Sequence, residues 1–277
     1  MMFRRKRNNY LGGYSGARRG GSRIRTIGKI LLAVLIVLVI ACGAAAWYVL
    51  TPYQPTTEAQ QAINATEEGI TVHNSDNWIE FAAAKPTGDS VIFYPGARVK
   101  PEAYSLVAQR LAKNGHSVYI MKMPFNFAFF KPDAAQAVVD SNPNQKFIIG
   151  GHSLGGVFAS RYAASHVDQI SGVFFLASYP DDNGSLGNSG LPVMSITASN
   201  DGVLERSKYE AARVLLPATA VYYSIQGGNH AQFGSYGEQK GDKTAQITAD
   251  EQLEQTTNAL LSWMKEIPSS LKKASSK

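Results

Sequence analysis

Residues 146–156 read Lys-Phe-Ile-Ile-Gly-Gly-His-Ser-Leu-Gly-Gly, and this stretch decides the fold. Its apolar start predicts a buried strand, and residues 154–165 continue with the pattern of a helix. A serine flanked by glycines at a strand-to-helix junction is typical of a nucleophile elbow, in which the serine lies at the tip of a strained turn. Gly151 and Gly155 stand two residues either side of Ser153, where a side chain would collide with neighbouring backbone. The alternative is an ordinary glycine-rich turn.

An elbow serine needs a base and an acid, and two later loops offer them. Functional groups in a parallel sheet lie on loops beyond the carboxyl ends of its strands. Asp201 follows a predicted strand at 192–197, and His230 follows the last predicted strand, at 220–225. The order Ser153, Asp201, His230 is the one that such elbows use. We predict that the histidine takes the serine proton and returns it to the leaving group, while the aspartate orients the imidazole.

Other residues compete for these roles. Asp181 and Asp182 also follow a predicted strand, so they are alternative acids. His152 adjoins the serine, but neighbouring residues of a strand point to opposite faces, which favours a structural role. The remaining histidines are expected to lie too far from the elbow: His73, His116 and His166.

A tetrahedral intermediate also requires hydrogen-bond donors for its oxyanion. One is expected to be the backbone N–H of Leu154, directly after the serine. The second should come from the loop after the predicted strand 90–94. Since Pro95 has no N–H, we predict that Ala97 supplies it.

From residue 69 onward, strand-like and helix-like stretches alternate, which predicts a mostly parallel sheet with helices on both faces. Besides the strand of the elbow, the predicted strands are 70–73, 78–83, 90–94, 117–121, 172–177, 192–197 and 220–225. The predicted helices are 101–114, 133–140, 154–165, 204–215 and 250–264.

The N-terminal region differs from this body. Residues 30–50 contain no charge and would span about 31 Å as a helix, close to the thickness of a bilayer core. Nine Lys and Arg residues and no acidic residue precede them, which predicts a disordered cytoplasmic tail at 1–29 and a body outside the cytoplasm. The sequence around Cys42 also resembles a lipoprotein processing site, although the apolar run continues beyond it. Residues 51–68 are interpreted as a linker, 69–268 as the body and 269–277 as a flexible end.

Taken together, Gly151-His152-Ser153-Leu154-Gly155, Asp201 and His230 resemble the α/β-hydrolase superfamily, over roughly residues 69–265. The subgroup it is similar to is the small bacterial dienelactone-hydrolase-like kind, here with a membrane anchor. The resemblance implies an eight-stranded sheet whose second strand is antiparallel. Two features depart from it. Pro95-Gly96 stands where many members have His-Gly, and dienelactone hydrolase uses a cysteine where this chain has Ser153, so its lactone substrate does not carry over.

Two segments bear on the substrate. Residues 178–191, where many relatives insert a helical lid, are short, polar and glycine-rich, so we expect an open site without a large lid. Residues 124–131 are rich in phenylalanine and follow a predicted strand on the side of the catalytic loops. Phe125, Phe127 and Phe129 line an acyl pocket, touch lipid, or pack into the core; the sequence leaves all three open.

The leading hypothesis is a membrane-anchored, extracytoplasmic serine hydrolase that acts on a small-molecule or lipid-like ester. No metal, cofactor or nucleic-acid partner is expected, because the sequence has no ligand cluster, no Gly-x-Gly-x-x-Gly motif and no Walker loop. The alternatives are an acyltransferase that acts on a cell-envelope acceptor and a catalytically silent scaffold of the same fold.

Overall fold

The structure is a computed structural model that describes Gly12 and residues 20–64 and 67–267. It divides the chain into two compact units, Met1–Tyr48 and Val49–Lys277. The predicted flexible end, 269–277, and most of the predicted basic tail lie outside the described residues.

The first unit contains all but the last two residues of the long helix α1, Gly20–Leu50. It begins ten residues before the predicted span, so that residues 20–29 are helical rather than irregular. The stretch Arg25–Leu50 is long and apolar enough to cross a membrane, and none of it is buried within the structure. Exposed apolar side chains exclude the core helix of a soluble domain, whereas a membrane anchor and a signal sequence both fit this pattern.

The second unit alternates strands and helices. Its strands are β1 Ile70–Asn74, β2 Trp78–Ala83, β3 Ser90–Tyr94, β4 Val118–Met121, β5 Phe147–His152, β6 Ile170–Leu176, β7 Val193–Ala198 and β8 Val221–Ile225. Its α-helices are α2 Thr57–Ala62, α3 Ser105–Lys113, α4 Gln136–Ser141, α5 Leu154–Ser165, α6 Arg206–Ala212 and α7 Ala249–Glu266.

The strands form one sheet in the order β1-β2-β4-β3-β5-β6-β7-β8. β2 is antiparallel to both of its neighbours, and all other pairs are parallel. The predicted fold class, with an antiparallel second strand, is therefore confirmed. The elbow strand β5 lies in the interior of the sheet, so its carboxyl end is flanked by the loops after β3 and β6.

Two core clusters cover the two faces of the sheet. Along β3, Val91 and Phe93 belong to one cluster, whereas Ile92 and Tyr94 belong to the other. This alternation follows from the two-residue period of a strand. The first cluster includes side chains of α3 and α7, and the second includes side chains of α4 and α5. The loops that follow the strands are thus supported by packed layers on both faces of the sheet.

Most element bounds agree with the sequence prediction, and the differences have local causes. The predicted helix 101–114 starts as a 3₁₀ turn, Pro101–Tyr104, before α3. The predicted helix 204–215 ends in the 3₁₀ turn Arg213–Leu215. Pro217 prevents continuation of the second helix.

The segment interpreted as a linker packs onto the sheet domain instead of extending from it. Ala59, Ala62 and Ile63 are buried. Tyr53 pairs with Val99 as an isolated parallel bridge, and its N–H donates to the Arg98 carbonyl at 2.6 Å. Few apolar residues lie among the polar ones here, so the sequence pattern concealed this packing.

Candidate active site

Ser153 lies in a strained backbone conformation at the tip of the turn between β5 and α5. Its φ is 52° and its ψ is −127°. Residues other than glycine rarely adopt this backbone conformation, which costs about 1–3 kcal/mol. Two contacts, one to the last residue of β6 and one to the loop after it, hold the turn. The Ser153 N–H donates to the Leu176 carbonyl at 3.0 Å, and the Ser178 hydroxyl donates to the Ser153 carbonyl at 2.6 Å.

The two elbow glycines allow the turn to approach β3 closely. A Cβ atom on Gly155 would lie 2.1 Å from the Tyr94 carbonyl oxygen, and one on Gly151 would lie 2.4 Å from the same atom. Real Cβ atoms do not come so near to backbone. The predicted requirement for glycine on either side of Ser153 therefore has a steric cause, and it brings the loop after β3 against the serine turn.

Asp201 and His230 meet in the interior, on the loops after β7 and β8. His230 Nδ1 lies 2.9 Å from Asp201 Oδ2, and both side chains are buried. Asp201 Oδ1 also accepts hydrogen bonds from the N–H groups of Val203 and Leu204, at 2.8 and 2.7 Å. Burial alone would raise the pKa of Asp201, but hydrogen bonding and charge attraction to His230, with these two amides, outweigh burial and hold the pKa below its usual value. The carboxylate is thus charged at neutral pH.

The other nitrogen of the His230 ring, Nε2, is buried and has no hydrogen-bond partner among the described residues. A ring whose Nδ1–H donates to Asp201 leaves Nε2 as an acceptor. The structure shows no hydrogen bond between this atom and Ser153, an arrangement that is common when no substrate is bound. A buried, unsatisfied acceptor is what a general base requires.

Residues from outside these loops hold the Asp201–His230 pair in place. Gln252 of α7 accepts from the Asn229 N–H at 2.9 Å and donates to the Asn229 carbonyl at 2.8 Å. Asp242 joins the two loops: its Oδ1 accepts from the Gly202 N–H at 2.9 Å, and its Oδ2 accepts from the Ala231 N–H at 2.8 Å. One carboxylate thus bonds to the residue after Asp201 and to the residue after His230.

The loop after β3 leaves one backbone donor available near the serine turn. Pro95 has no N–H, and the Gly96 N–H donates to the Tyr104 hydroxyl at 3.0 Å. The Ala97 and Leu154 N–H groups have no acceptor among the described residues. Both predicted oxyanion donors are therefore available, one on each side of the contact between β3 and the elbow.

His152 lies closer to the predicted base than the sequence suggested. Its ring centroid is 4.5 Å from that of His230, and its Nδ1 lies 2.9 Å from the Tyr104 hydroxyl. Burial, reinforced by the adjacent His230, holds the pKa of His152 well below its usual value, so the ring is neutral. The Tyr104 hydroxyl thus bridges the Gly96 N–H and the His152 ring. No motif pointed to Tyr104, which lies 48 residues before its partner.

The alternative acids and bases have other partners. Asp181 forms an ion pair with Arg161, and Asp182 is exposed. His166 Nδ1 is bonded to the Tyr162 carbonyl, and His116 Nδ1 to the Asp89 carbonyl. His73 is exposed on β1, at the far edge of the sheet. None of these residues contacts His230 or Ser153.

The phenylalanine segment is mostly outside the core. Phe125, Phe129 and Phe130 are about half exposed, while Phe127 is partly buried. Packing into the core is therefore wrong for the three exposed rings, and the acyl-pocket and lipid interpretations remain. A separate cavity of about 730 Å³ lies beside the His230 loop, lined by Asn229, Ala231 and Leu253 among others, but Ser153 does not line it.

Only one short 3₁₀ turn, Asp182–Gly184, interrupts the loop at residues 178–191, where a lid was not expected. In the part of the chain that the structure describes, no cluster of three or more His, Cys, Asp or Glu residues could hold a metal ion.

A family model described as the alpha/beta hydrolase family matches residues 90–254, more than half of the chain. The chain belongs to the alpha/beta hydrolase family. The matched region runs from β3 to the first turns of α7 and so includes the elbow and both loops of the Asp201–His230 pair. This membership supports hydrolase activity. No curated protein sequence matches this hydrolase.

Solved structures share the fold of this hydrolase at low sequence identity. A putative lipase from Acinetobacter baumannii is 14% identical with a TM-score of 0.56, and the match covers 76% of this chain and 96% of the lipase. Dienelactone hydrolase from Anabaena variabilis is 14% identical with a TM-score of 0.54, covering 72% and 99%. Est1E from Butyrivibrio proteoclasticus is 15% identical with a TM-score of 0.51, covering 72% and 100%.

Proposed function

We propose that this protein is a serine hydrolase that cleaves carboxylic esters through an acyl-enzyme. The observation that carries the proposal is the buried hydrogen bond of 2.9 Å between His230 and Asp201, together with the strained turn that holds Ser153. A buried imidazole with one nitrogen bound to a carboxylate and the other unsatisfied is suited to take the proton of a serine.

Each residue of the candidate site has its own role in the proposed reaction. His230 Nε2 accepts the Ser153 proton while Oγ bonds to the ester carbonyl carbon. The same proton then passes to the alkoxide as the carbon–oxygen bond to the alcohol breaks. A water molecule repeats these steps on the acyl-enzyme and releases the acid. The N–H groups of Leu154 and Ala97 stabilise the negative oxygen of each tetrahedral intermediate.

We also propose that α1 anchors the hydrolase in a membrane, with the catalytic unit outside the cytoplasm. The support is the exposed apolar stretch Arg25–Leu50, together with the nine basic residues and no acidic residue in positions 1–29. Trp47 and Tyr48, near the end of the stretch, favour the bilayer interface. In this topology the substrate is an ester of the cell envelope or the surroundings.

A fluorophosphonate probe tests the nucleophile. We expect the full chain in mild detergent to bind one probe per molecule and to hydrolyse short nitrophenyl esters, because the probe reacts with activated serines. Ser153→Ala should abolish labelling, whereas the control Ser165→Ala, at the far end of α5, should retain it. Equal labelling of the Ser153→Ala chain would contradict the proposal. Labelling without ester turnover would favour the acyltransferase.

Asp242 is expected to be a positioning residue for this reaction. In Asp242→Asn, an NH₂ group replaces one carboxylate oxygen and faces a backbone N–H, so two donors oppose each other. One of the two hydrogen bonds that join the Asp201 and His230 loops is therefore lost. We expect kcat to fall about fivefold, at about 1 kcal/mol for one such hydrogen bond, with KM unchanged.

Asp250→Asn is the matched control for Asp242. Asp250 pairs with Arg110 on the surface and bonds neither catalytic loop. Steady-state kinetics of both variants would show whether the effect is specific. A fall in melting temperature for Asp242→Asn with unchanged kcat would assign Asp242 a purely structural role.

A further inference from the structure

An exposed aromatic patch lies on the loop after β4, and we define it as Phe125, Phe127, Phe129 and Phe130. The rings form one cluster, with centroids 4.3 Å apart for Phe129 and Phe130, 5.1 Å for Phe127 and Phe129, and 5.5 Å for Phe125 and Phe130. Three of them are 46–56% exposed. Contiguous exposed apolar patches commonly mark interaction sites, whereas single exposed apolar side chains need no explanation.

The backbone of the loop that carries the aromatic patch is strained. Phe125 and Asn126 both have positive φ, 53° and 60°, as does Arg98 on the neighbouring loop, at 61°. The Arg98 N–H donates to the Asn126 carbonyl at 2.8 Å and so fixes the strained turn. Strain of about 1–3 kcal/mol per residue persists where the surroundings enforce it, commonly at functional sites.

Arg98 also connects the aromatic patch to the point where the chain leaves α1. Its Nη2 donates to the Thr51 carbonyl at 2.8 Å, and its guanidinium lies 5.3 Å from the centre of the Tyr53 ring. Thr51 is the first residue after α1. A single arginine therefore contacts both the first residue after the proposed membrane span and the loop that carries the four phenylalanines.

Basic side chains predominate in the two loops at the aromatic patch, and the acidic residues Glu102 and Asp133 directly follow these loops. Residues 96–101 and 122–132, the two loops that meet here, contain four basic residues and no acidic one: Arg98, Lys100, Lys122 and Lys131. Apolar aromatic rings beside basic side chains are the composition of segments that lie in the interface of a bilayer with anionic headgroups.

We propose that the aromatic patch inserts into the surface of the bilayer in which the hydrolase is anchored, and that the substrate is an acyl ester of a membrane lipid. This inference rests on the anchoring and the ester hydrolysis proposed above. Arg98 is next to Ala97, and the 3₁₀ turn Ala128–Phe130 packs against α5. The loop that carries the patch therefore neighbours the loop of Ala97 and the helix that begins after Ser153, and in this proposal a lipid ester enters the site from that side.

The depth of the aromatic patch can be measured without turnover. Cys42 is the only cysteine, so in a Cys42→Ala full chain a single new cysteine carries an environment-sensitive fluorophore. In vesicles with anionic lipids, we expect lipid-attached quenchers to quench the fluorophore on Phe125→Cys. The quenching should place this fluorophore about 5–10 Å below the bilayer surface. The control is Val214→Cys, which is 83% exposed and precedes β8 at the amino edge of the sheet. No quenching at position 125, or equal quenching at both positions, overturns the inference.

Activity provides the second measurement. We compare the full chain with a triple variant, Phe125→Ser, Phe129→Ser and Phe130→Ser, on a phospholipid ester in vesicles and on a short soluble nitrophenyl ester. The triple variant loses the aromatic surface that the bilayer would bury. We therefore expect its rate on vesicles to fall at least about tenfold more than its rate on the soluble ester. Equal losses on both substrates would place the rings in an acyl pocket and overturn the inference. If the wild type hydrolyses neither ester, the proposed ester hydrolysis is contradicted. The depth measurement still shows whether the aromatic patch inserts into the bilayer.

Discussion

Replacing His230 by alanine is expected to lower kcat for a nitrophenyl ester by about 10⁶, as far as replacing Ser153. The serine cannot lose its proton without the buried Nε2 acceptor, and the base has no task without the serine. For the same reason the double variant should be no slower than either single variant. Kinetics of the two single variants and the double variant test this non-additivity.

His166→Ala is the control, because His166 lies at the far end of α5 and its ring bonds to the Tyr162 carbonyl of that helix. It should retain the wild-type rate. A His230→Ala chain that folds, judged by its melting temperature, and still loses less than about tenfold in kcat would remove His230 from the proposed mechanism. Additive losses in the double variant would also contradict a shared role.

Asp201→Asn is expected to lower kcat by about 10⁴, the second largest effect. The amide would present an NH₂ group or a neutral oxygen to His230 Nδ1, which favours the wrong tautomer and no longer stabilises the imidazolium. Asp181→Asn is the matched control, since Asp181 follows a neighbouring strand but pairs with Arg161. If Asp181→Asn caused the larger loss, the assignment of the acid would be reversed.

The pKa of Asp201 predicts the pH range in which this residue matters. Its folded-state pKa is below the ordinary value of 3.8, so the carboxylate is ionised throughout the neutral and weakly acidic range. Its contribution to folding stability is present above pH 3.8 and is lost as the pH falls through the lower, folded-state pKa. Loss of activity on acidification above about pH 5 therefore has its origin in another group, which a pH–rate profile of the wild type would identify.

Local sequence patterns predicted most of the fold, because the information is contained in neighbouring residues. The helix 154–165 and the strands 78–83 and 90–94 were predicted with the bounds that the structure has. The elbow stretch combines an apolar run, glycines and a helical pattern within about a dozen residues. The packing of residues 51–64 was missed, since a short polar segment with three buried apolar residues resembles a linker.

Part of the site could also be predicted, because parallel strands bring their carboxyl ends to one edge. That rule placed Asp201 and His230 on adjacent loops, and the structure shows them hydrogen-bonded. It gave no reason to choose Asp242, Gln252 or Tyr104. Each of these acts through backbone or side-chain contacts to residues 8–48 positions away, and such contacts leave no spacing to recognise.

By itself, the sequence determined the α/β architecture, the apolar N-terminal stretch and the candidate residues for nucleophile, acid and base. These follow from periodicity, length and residue chemistry, which are local properties. Only the tertiary structure shows that His230 is bonded to Asp201 while Asp181 pairs with Arg161, that the phenylalanine rings are exposed, and that Arg98 joins Thr51 to their loop. These outcomes depend on which side chains meet across the folded sheet, and the free energy of such contacts is set by burial and geometry between residues far apart in the chain.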